Sequence, residues 1–245
     1  MIKSYTKKIS RIAMYLLSFC LIVVTVVAVL LRFLIMPNID GYKDKIAAYA
    51  SKTAGQKITI SKIDANWDGI NPHLSLTNID IFDAQNRSAL HFKYIESNLS
   101  WLSLPLLEAR LSKLIIHNPE LTIRRESTGK VFVAGIDMSG KSNPDIANWL
   151  LKQRNIDVLD AKVIWQDDFR NAQPLSLNHL NLHLKNPTLQ SLIGQHEFEL
   201  SAIPSTGSAE PIAMNGHFQG RDVSKVAQWH GQIYTTLKKI GRAHV

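Results

Sequence analysis

The side chains best suited to chemistry in this sequence are nine histidines, twenty acidic residues and one cysteine. His179 and His183 are the closest suggestive histidine pair, and on a strand they share a face with Asn181. Imidazole nitrogens can bind zinc, but no well-placed third ligand accompanies this pair. The pattern therefore favours a solvated strand face, and we expect no metal site.

Two acidic groupings and the cysteine offer further chemistry. Asp167 and Asp168 form a carboxylate pair of the kind used in acid–base catalysis, but they lie beside a turn, where exposed structural acids are commoner. Residues 64–69 (DANWDG) are rich in oxygen ligands and lack the spacing of a calcium loop. Cys20 lies within a long apolar run, which argues against a nucleophile. Nucleotide-binding loops, dinucleotide fingerprints and nucleophile elbows are absent from the sequence, so we expect neither an enzyme nor a cofactor.

Composition narrows the class of protein further. The chain has 245 residues, 45% of them hydrophobic, and 28 basic against 20 acidic residues give a net charge of +8. This apolar content excludes disorder, and the single cysteine excludes an internal disulfide. The mean hydropathy of −0.04, with one long apolar run, excludes a polytopic membrane protein. The basic residues beyond the N-terminus are scattered, so we expect no nucleic-acid partner; contact with anionic lipid headgroups would explain part of the excess.

The elements that would position any site begin with a membrane segment. Residues 12–31 carry no charge and, as a helix, would span roughly 30 Å, the thickness of a bilayer core. Arg32 can snorkel to the interface, and Pro37 is expected to end the helix. We therefore predict a transmembrane anchor over residues 12–36.

The charges that flank this segment predict its orientation. Four basic residues and no acidic residue precede it, whereas charges of both signs follow. The positive-inside rule then places residues 1–11 in the cytoplasm and the bulk of the chain outside. A cleaved signal peptide is disfavoured because no small-x-small site ends the run, and Phe19 occupies the small-residue position of a lipoprotein box before Cys20. We expect an uncleaved signal anchor.

Beyond the anchor the pattern is mainly β. Residues 42–53 and 142–155 are predicted as two short helices, the second capped by Asn143 with Pro144 as its first residue. About ten short strands in mostly antiparallel meanders account for the rest. They are predicted at residues 57–63, 74–82, 90–95, 98–104, 110–117, 120–125, 131–133, 161–166, 175–184, 197–203 and 212–218. A shift of phase at Asn78 predicts a β-bulge. The apolar strand faces could pack as a sandwich or line an open groove.

Three stretches carry a family resemblance through their order along the chain. They are KITISKIDANWDGINPHLSLTNIDIFD, SWLSLPLLEARLSKLIIHNPELTIRRESTGKVFVAGI and AKVIWQDDFRNAQPLSLNHLNLHLKN. From residue 1 to about residue 237 the sequence resembles the start of the AsmA-like family, most closely its YhdP branch. The resemblance implies a single-pass protein of the Gram-negative inner membrane. After its transmembrane helix, antiparallel β-sheet repeats with two short helices would curl into an open apolar groove in the periplasm.

The resemblance also implies a function, namely transport of phospholipid between the inner and outer membranes. The expected partners are phospholipids and the inner membrane. The alternative is a periplasmic assembly or scaffold factor that binds outer-membrane or periplasmic proteins by strand addition. Candidate groove residues are the alternating apolar side chains Leu74, Leu76, Ile79, Ile81, Leu90, Phe92, Ile123, Val163, Trp165, Leu180, Leu182 and Leu184. Ordinary sheet packing is the alternative for each of them.

The C-terminal residues have an unusual pattern. The last six, IGRAHV, match one reading frame of a common sequencing adapter, so we expect residues 239–245 to be a non-native tail on a truncated coding sequence. A genuine C-terminus is the alternative. The expected organisation is then a cytoplasmic segment 1–11, an anchor 12–36, the first part of an AsmA-like β-groove over 37–238, and the tail.

Overall fold

The computed structural model describes residues 2–54, 56–82, 86, 88–133, 136–137, 145–187, 194–205 and 211–236. The predicted cap at Asn143, the helix start at Pro144 and the 239–245 tail lie outside the described residues. The chain divides into two compact units, Met1–Tyr42 and Lys43–Val245.

The first unit is helical. Helix α1 (Ile2–Leu30) continues as a π-helical turn (Leu31–Ile35) and then as a 3₁₀ segment (Met36–Tyr42). By length and composition this run can cross a membrane, with a mean hydropathy of 2.9 over its most apolar window. The prediction that Pro37 ends the helix agrees with the structure to within one residue, because helical geometry is lost at Asn38 (φ −113°), where two helical pieces meet at a kink.

The second unit begins with helix α2 (Lys43–Ala54) and contains the strands. The first seven are β1 (Ile58–Asp68), β2 (Asn71–Phe82), β3 (Ser88–Leu99), β4 (Leu111–His117), β5 (Glu120–Arg125), β6 (Val131–Val133) and β7 (Ile136–Asp137). The other five are β8 (Asn155–Asp167), β9 (Leu175–Lys185), β10 (Gln195–Pro204), β11 (Ile212–Gln219) and β12 (His230–Thr236). A helical turn α3 (Ser103–Leu106), helix α4 (Asp145–Leu151) and a 3₁₀ segment (Val223–Gln228) connect them.

In the described ranges, all twelve strands belong to one open sheet. Its main order is β1-β2-β3-β4-β8-β9-β10-β11-β12, and the hairpin of β5 and β6 branches from β8. The mainly β, open architecture is thus confirmed, and the two sheets of a sandwich are not formed by these strands. Strand β8 pairs in parallel with β4 and then with β5, which departs from the antiparallel expectation. It can do so because β4 and β5 follow one line along β8, interrupted only at Asn118-Pro119.

Strand boundaries also differ from prediction, most clearly around β3. The runs predicted at 90–95 and 98–104 are not two strands, because β3 continues through both to Leu99 and α3 follows. Strand β12 was not predicted, and all seven of its residues are exposed.

An irregular line crosses the sheet near the middle of its strands, and we call it the left-handed seam. Its members have φ between +47° and +55°: Asn78, Asn118, Asp160 and His179. Three of them are neighbours, since the Asn118 side-chain amide donates to Asp160 Oδ2 at 2.7 Å and His179 Nδ1 lies 2.6 Å from Asp160 Oδ1. Asn78 lies on β2, which β3 separates from β4. Asparagine and aspartate tolerate this backbone region better than most side chains.

The β-bulge predicted at Asn78 is not formed, and a left-handed residue takes its place. A bulge inserts a residue and shifts the pairing register. The β1–β2 register is instead the same on both sides, with Lys62 opposite Thr77 and Ile60 opposite Ile79. The change of phase in the sequence therefore marks a left-handed residue within a continuous ladder.

Buried polar side chains connect the ends of several strands at the end of the sheet where β8 begins. Gln153, Asn186 and His196 are each at most 2% exposed. The Gln153 Oε1 accepts the Leu111 N–H at 2.7 Å, and the Asn186 amide donates to the Gln153 carbonyl at 2.6 Å. His196 Nδ1 lies 2.5 Å from Asn186 Oδ1, and its Nε2 lies 2.8 Å from the Gly220 carbonyl. This polar chain links β4, α4, β9, β10 and β11.

Candidate functional site

One face of the sheet carries a continuous row of apolar side chains, which we call the apolar row. Each member is the direct cross-strand partner of the next, from β1 to β11. Its members are Ile63, Leu76, Ile95, Ile116, Val158, Leu182, Leu200 and Met214. Ile63 is buried and the rest are half-buried. At about 4.8 Å between strands, eight members extend for roughly 34 Å.

A second row lies two residues along each strand and therefore on the same face. Its members are Ala65, Leu74, Ser97, Leu114, Ile156, Leu184, Phe198, Gly216 and Ile233. Gly216 allows a close approach of β12, because a Cβ there would overlap the Gln232 carbonyl oxygen, and would also lie 3.1 Å from the Phe198 ring. Together the two rows form a band two residues wide across the sheet.

The opposite face is polar along the matching row, which we call the polar row. Its members are Asp64, Ser75, Glu96, Ile115, Asp157, His183, Glu199, Asn215 and Tyr234. Ile115 is its one aliphatic member. The two faces of the sheet are therefore chemically distinct over its whole width.

The left-handed seam keeps the apolar face continuous along the strands. Val158 and Val163 are five residues apart and would point to opposite faces of a regular strand. Both nevertheless pack against the same buried cluster of Ala161, Leu180 and Ala202, because the alternation is interrupted between them, at the left-handed Asp160 and at the register shifts of the β8–β9 ladder on both sides of Ala161. Leu177 and Leu182 on β9 pack against this cluster for the same reason.

The structure distributes the twelve predicted groove residues over several parts of the sheet. Leu74, Leu76, Leu182 and Leu184 belong to the two apolar rows, and Leu180 and Val163 to the adjoining buried cluster. Beyond the seam, Ile79 pairs with Phe92 and Ile81 with Leu90. Ile123 pairs with Trp165 where β5 meets the end of β8.

Several members of the apolar row and of the second row escaped the sequence reasoning. Val158 and Ile156 were missed because β8 was predicted to begin at residue 161. Leu200 and Met214 alternate correctly within predicted strands, so the sequence did contain a signal for them. Ile116 pairs with Ile95 in an antiparallel ladder and with Val158 in the parallel ladder, and the mostly antiparallel expectation did not indicate the second pairing.

The candidate catalytic and metal residues have separate structural partners. His179 lies 2.6 Å from Asp160, and His183 lies 2.9 Å from Asp157, so each of the two imidazoles has a carboxylate of its own. Among the described residues, no group of three or more His, Cys, Asp or Glu side chains is arranged to hold a metal ion.

The two aspartates at the end of β8, expected to be exposed turn acids, both form hydrogen bonds with neighbouring residues. Asp167 is 5% exposed, so the prediction of an exposed turn acid is wrong for it, and its Oδ1 accepts the Arg170 N–H at 3.2 Å. Asp168 accepts a hydrogen bond from Arg124 Nε at 2.6 Å, which with Gln166 lowers the pKa of Asp168. A general acid needs the opposite shift.

Strands β2 and β3 bring together a polar cluster that the sequence did not reveal. His73 Nδ1 lies 2.6 Å from Asn98 Oδ1, and His73 Nε2 lies 3.2 Å from Ser75 Oγ. Glu96 lies beside His73 and 3.2 Å from His117. The order Ser–His–Asn resembles a nucleophile with its base, but Ser75 lies on a strand paired on both sides, so its neighbouring N–H groups are used in ladders rather than facing an oxyanion.

Comparison with known proteins gives one positive result. A family model described as "YhdP protein" matches residues 1–243, which is nearly the whole chain. None of the curated proteins compared with the chain matches it.

Proposed function

We propose that this chain, which belongs to the YhdP family, takes part in phospholipid transport between the inner and outer membranes. The apolar row is the observation that carries the proposal. It provides a surface long enough for acyl chains, while the polar row leaves the other face of the sheet suited to water. Residues 12–36 would anchor the chain in the inner membrane, with residues 1–11 in the cytoplasm and the sheet in the periplasm.

The physical basis is passive binding of acyl chains. Each buried methylene contributes about 0.8 kcal/mol, and the contribution depends little on which aliphatic side chain it touches. A row whose members are all aliphatic therefore holds a lipid tail without a strongly preferred position. Movement along such a row changes the free energy little, so the lipid can slide. This function requires no catalytic group, which agrees with the separate, structural partners of His179, His183 and Asp168.

Photo-crosslinking of adjacent residues tests which face contacts lipid. A photoreactive amino acid at Leu200 or Met214 should form adducts with phospholipid, because both belong to the apolar row. The matched controls are Glu199 and Asn215, which neighbour them in sequence and belong to the polar row. Adducts of equal yield at all four positions, or at the control positions alone, would contradict the proposal.

A charge within the apolar row tests transport itself. The substitution Leu182→Asp places a carboxylate between Val158 and Leu200, and burying that charge beside an acyl chain is costly. We expect lipid transport to be lost in cells that depend on the protein. The control Asn215→Asp places the same charge on the polar row and should leave transport intact. Normal transport by a folded Leu182→Asp variant, verified by its melting temperature, would refute the role of the row.

Strand addition is the second candidate, and one observation favours it. Strand β12 lies at an edge of the sheet in the described ranges, and all seven of its residues are exposed. Such an edge can pair with a strand of another protein. Crosslinks from Ile233 or Tyr234 to a single periplasmic or outer-membrane protein, without lipid adducts at Leu200 and Met214, would favour an assembly factor.

A further inference from the structure

The end of the sheet where β1 gives way to β2 carries a group of exposed apolar side chains, which we call the apolar tip. Its members are Ile70, Leu102, Leu104, Leu106 and Leu107, with exposed fractions of 75%, 47%, 37%, 52% and 94%. Ile70 lies in the β1–β2 turn, and the four leucines lie in the connection from β3 to β4. The two connections adjoin, because Trp101 Nε1 donates to the Ile70 carbonyl at 3.1 Å.

Several backbone groups of the tip form hydrogen bonds within it. The Ser100 N–H donates to the Arg110 carbonyl at 2.8 Å, and the Arg110 N–H donates to Ser103 Oγ at 3.0 Å. Turn hydrogen bonds run from the Leu106 N–H to the Leu102 carbonyl and from the Leu107 N–H to the Leu104 carbonyl. Leu107 has φ of +49°, a strained region for leucine, and its side chain is exposed. Each of these internal hydrogen bonds lowers the cost of placing the loop in a lipid phase.

The residues that contact the tip and its loop include the tryptophan and basic side chains typical of membrane interfaces. Trp67 and Trp101 stack with ring centroids 6.5 Å apart, and Trp149 Nε1 donates to the Ala109 carbonyl at 2.8 Å. Tryptophan favours the headgroup level of a bilayer. Arg110 and Lys152 form ion pairs with Glu108 at 2.9 Å and 3.0 Å, so these three side chains have a net charge of one positive. Basic side chains at this depth attract anionic lipid headgroups.

The link between the predicted anchor and the sheet-bearing unit is short in sequence. Six residues separate Met36, the last residue of the predicted anchor, from Lys43, the first residue of α2. Within its own unit, Lys43 Nζ donates to the Ser61 carbonyl on β1 at 3.1 Å.

We propose that the apolar tip inserts its leucines into the surface of an anionic phospholipid bilayer, with the tryptophans at the headgroups and Arg110 and Lys152 against the phosphates. The tip is thus a second membrane contact beside the anchor. It uses no residue of the apolar row, so it holds whether or not the apolar row carries lipid.

Depth-dependent quenching tests this proposal on the full chain. The protein is reconstituted in vesicles of phosphatidylethanolamine and phosphatidylglycerol, with Cys20→Ser removing the single cysteine. An environment-sensitive fluorophore is attached at Leu107→Cys, and lipids carrying a nitroxide on the acyl chain are added. The matched control is Phe169→Cys, because Phe169 is also apolar, 53% exposed and in a loop, but follows β8 at the opposite end of the sheet.

We expect blue-shifted emission and at least twofold stronger quenching at Leu107 than at Phe169. Replacing phosphatidylglycerol with phosphatidylcholine should weaken quenching at Leu107. Equal quenching at both sites would overturn the proposal. A blue shift that grows with protein concentration and comes without quenching would also overturn it, because that result would show that a second protein molecule, and not lipid, covers the tip. A paired Leu106→Ser and Leu107→Ser variant, labelled at Leu102→Cys, should lose the quenching; retained quenching would also count against the tip.

Discussion

Valine in place of Asn78 should destabilise the sheet through the backbone alone. Asn78 is exposed and has φ of +47°, so a substitution there removes little packing. The left-handed region costs an ordinary L-residue about 1–2 kcal/mol, and a β-branched side chain tolerates it least. For a unit of this size, that loss lowers the melting temperature by roughly 2–8 °C.

Two matched variants isolate the cause. Ser61 is exposed and faces Asn78 across the β1–β2 ladder with an ordinary backbone, so Ser61→Val should be neutral or slightly stabilising. Asn78→Gly should retain stability to within about 1 kcal/mol, because glycine enters the left-handed region freely. Thermal unfolding of the detergent-solubilised chain, followed by circular dichroism, measures all three. If Asn78→Val and Ser61→Val melt at the same temperature, the left-handed seam does not constrain the sheet as argued.

Two further predictions concern the buried polar chain. Asn186→Leu should destabilise the sheet by about 2–4 kcal/mol, because it removes the Asn186 hydrogen bonds to the Gln153 carbonyl and to His196 Nδ1. The exposed control Asn215→Leu should change the free energy of unfolding by no more than about 0.5 kcal/mol in the same assay. Burial lowers the pKa of His196, so the unfolded chain binds its proton more readily than the folded chain, and stability should fall as the pH drops below about 6.5. Melting temperatures between about pH 7.5 and about pH 5.5 should fall less steeply for His196→Gln, and an unchanged slope would remove His196 as the source.

The local sequence pattern predicted the fold class and most strands, because the alternation of apolar and polar residues and the turn residues can be read from neighbouring positions. It placed the runs at 57–63, 110–117 and 175–184 within observed strands or at most a residue or two from their ends. It failed where the structure depends on distant partners. The parallel pairing of β8 with β4 and β5 joins segments about forty residues apart, and nothing local distinguishes that pairing from an antiparallel one.

The candidate site shows the same division between local and distant information. The phase change at Asn78 was visible in the sequence, but its cause was not, since a bulge and a left-handed residue give the same shift in alternation. Buried Asn186 and His196 looked like ordinary polar residues between strands. Their burial follows from hydrogen bonds to Gln153 and Gly220, which lie 33 and 24 residues away from them.

The single sheet bears on the choice between a structural core and a binding surface. In a sandwich, a second sheet would cover the apolar row, and its side chains would need no other partner. Here every strand in the described ranges lies in the same sheet, and seven of the eight members of the row are only half-buried. The left-handed seam, which costs backbone energy at four positions, keeps still more apolar side chains on this one face. This energetic cost is reasonable if the face must remain apolar along the strands as well as across them. An apolar face that extends in both directions is suited to a long acyl chain.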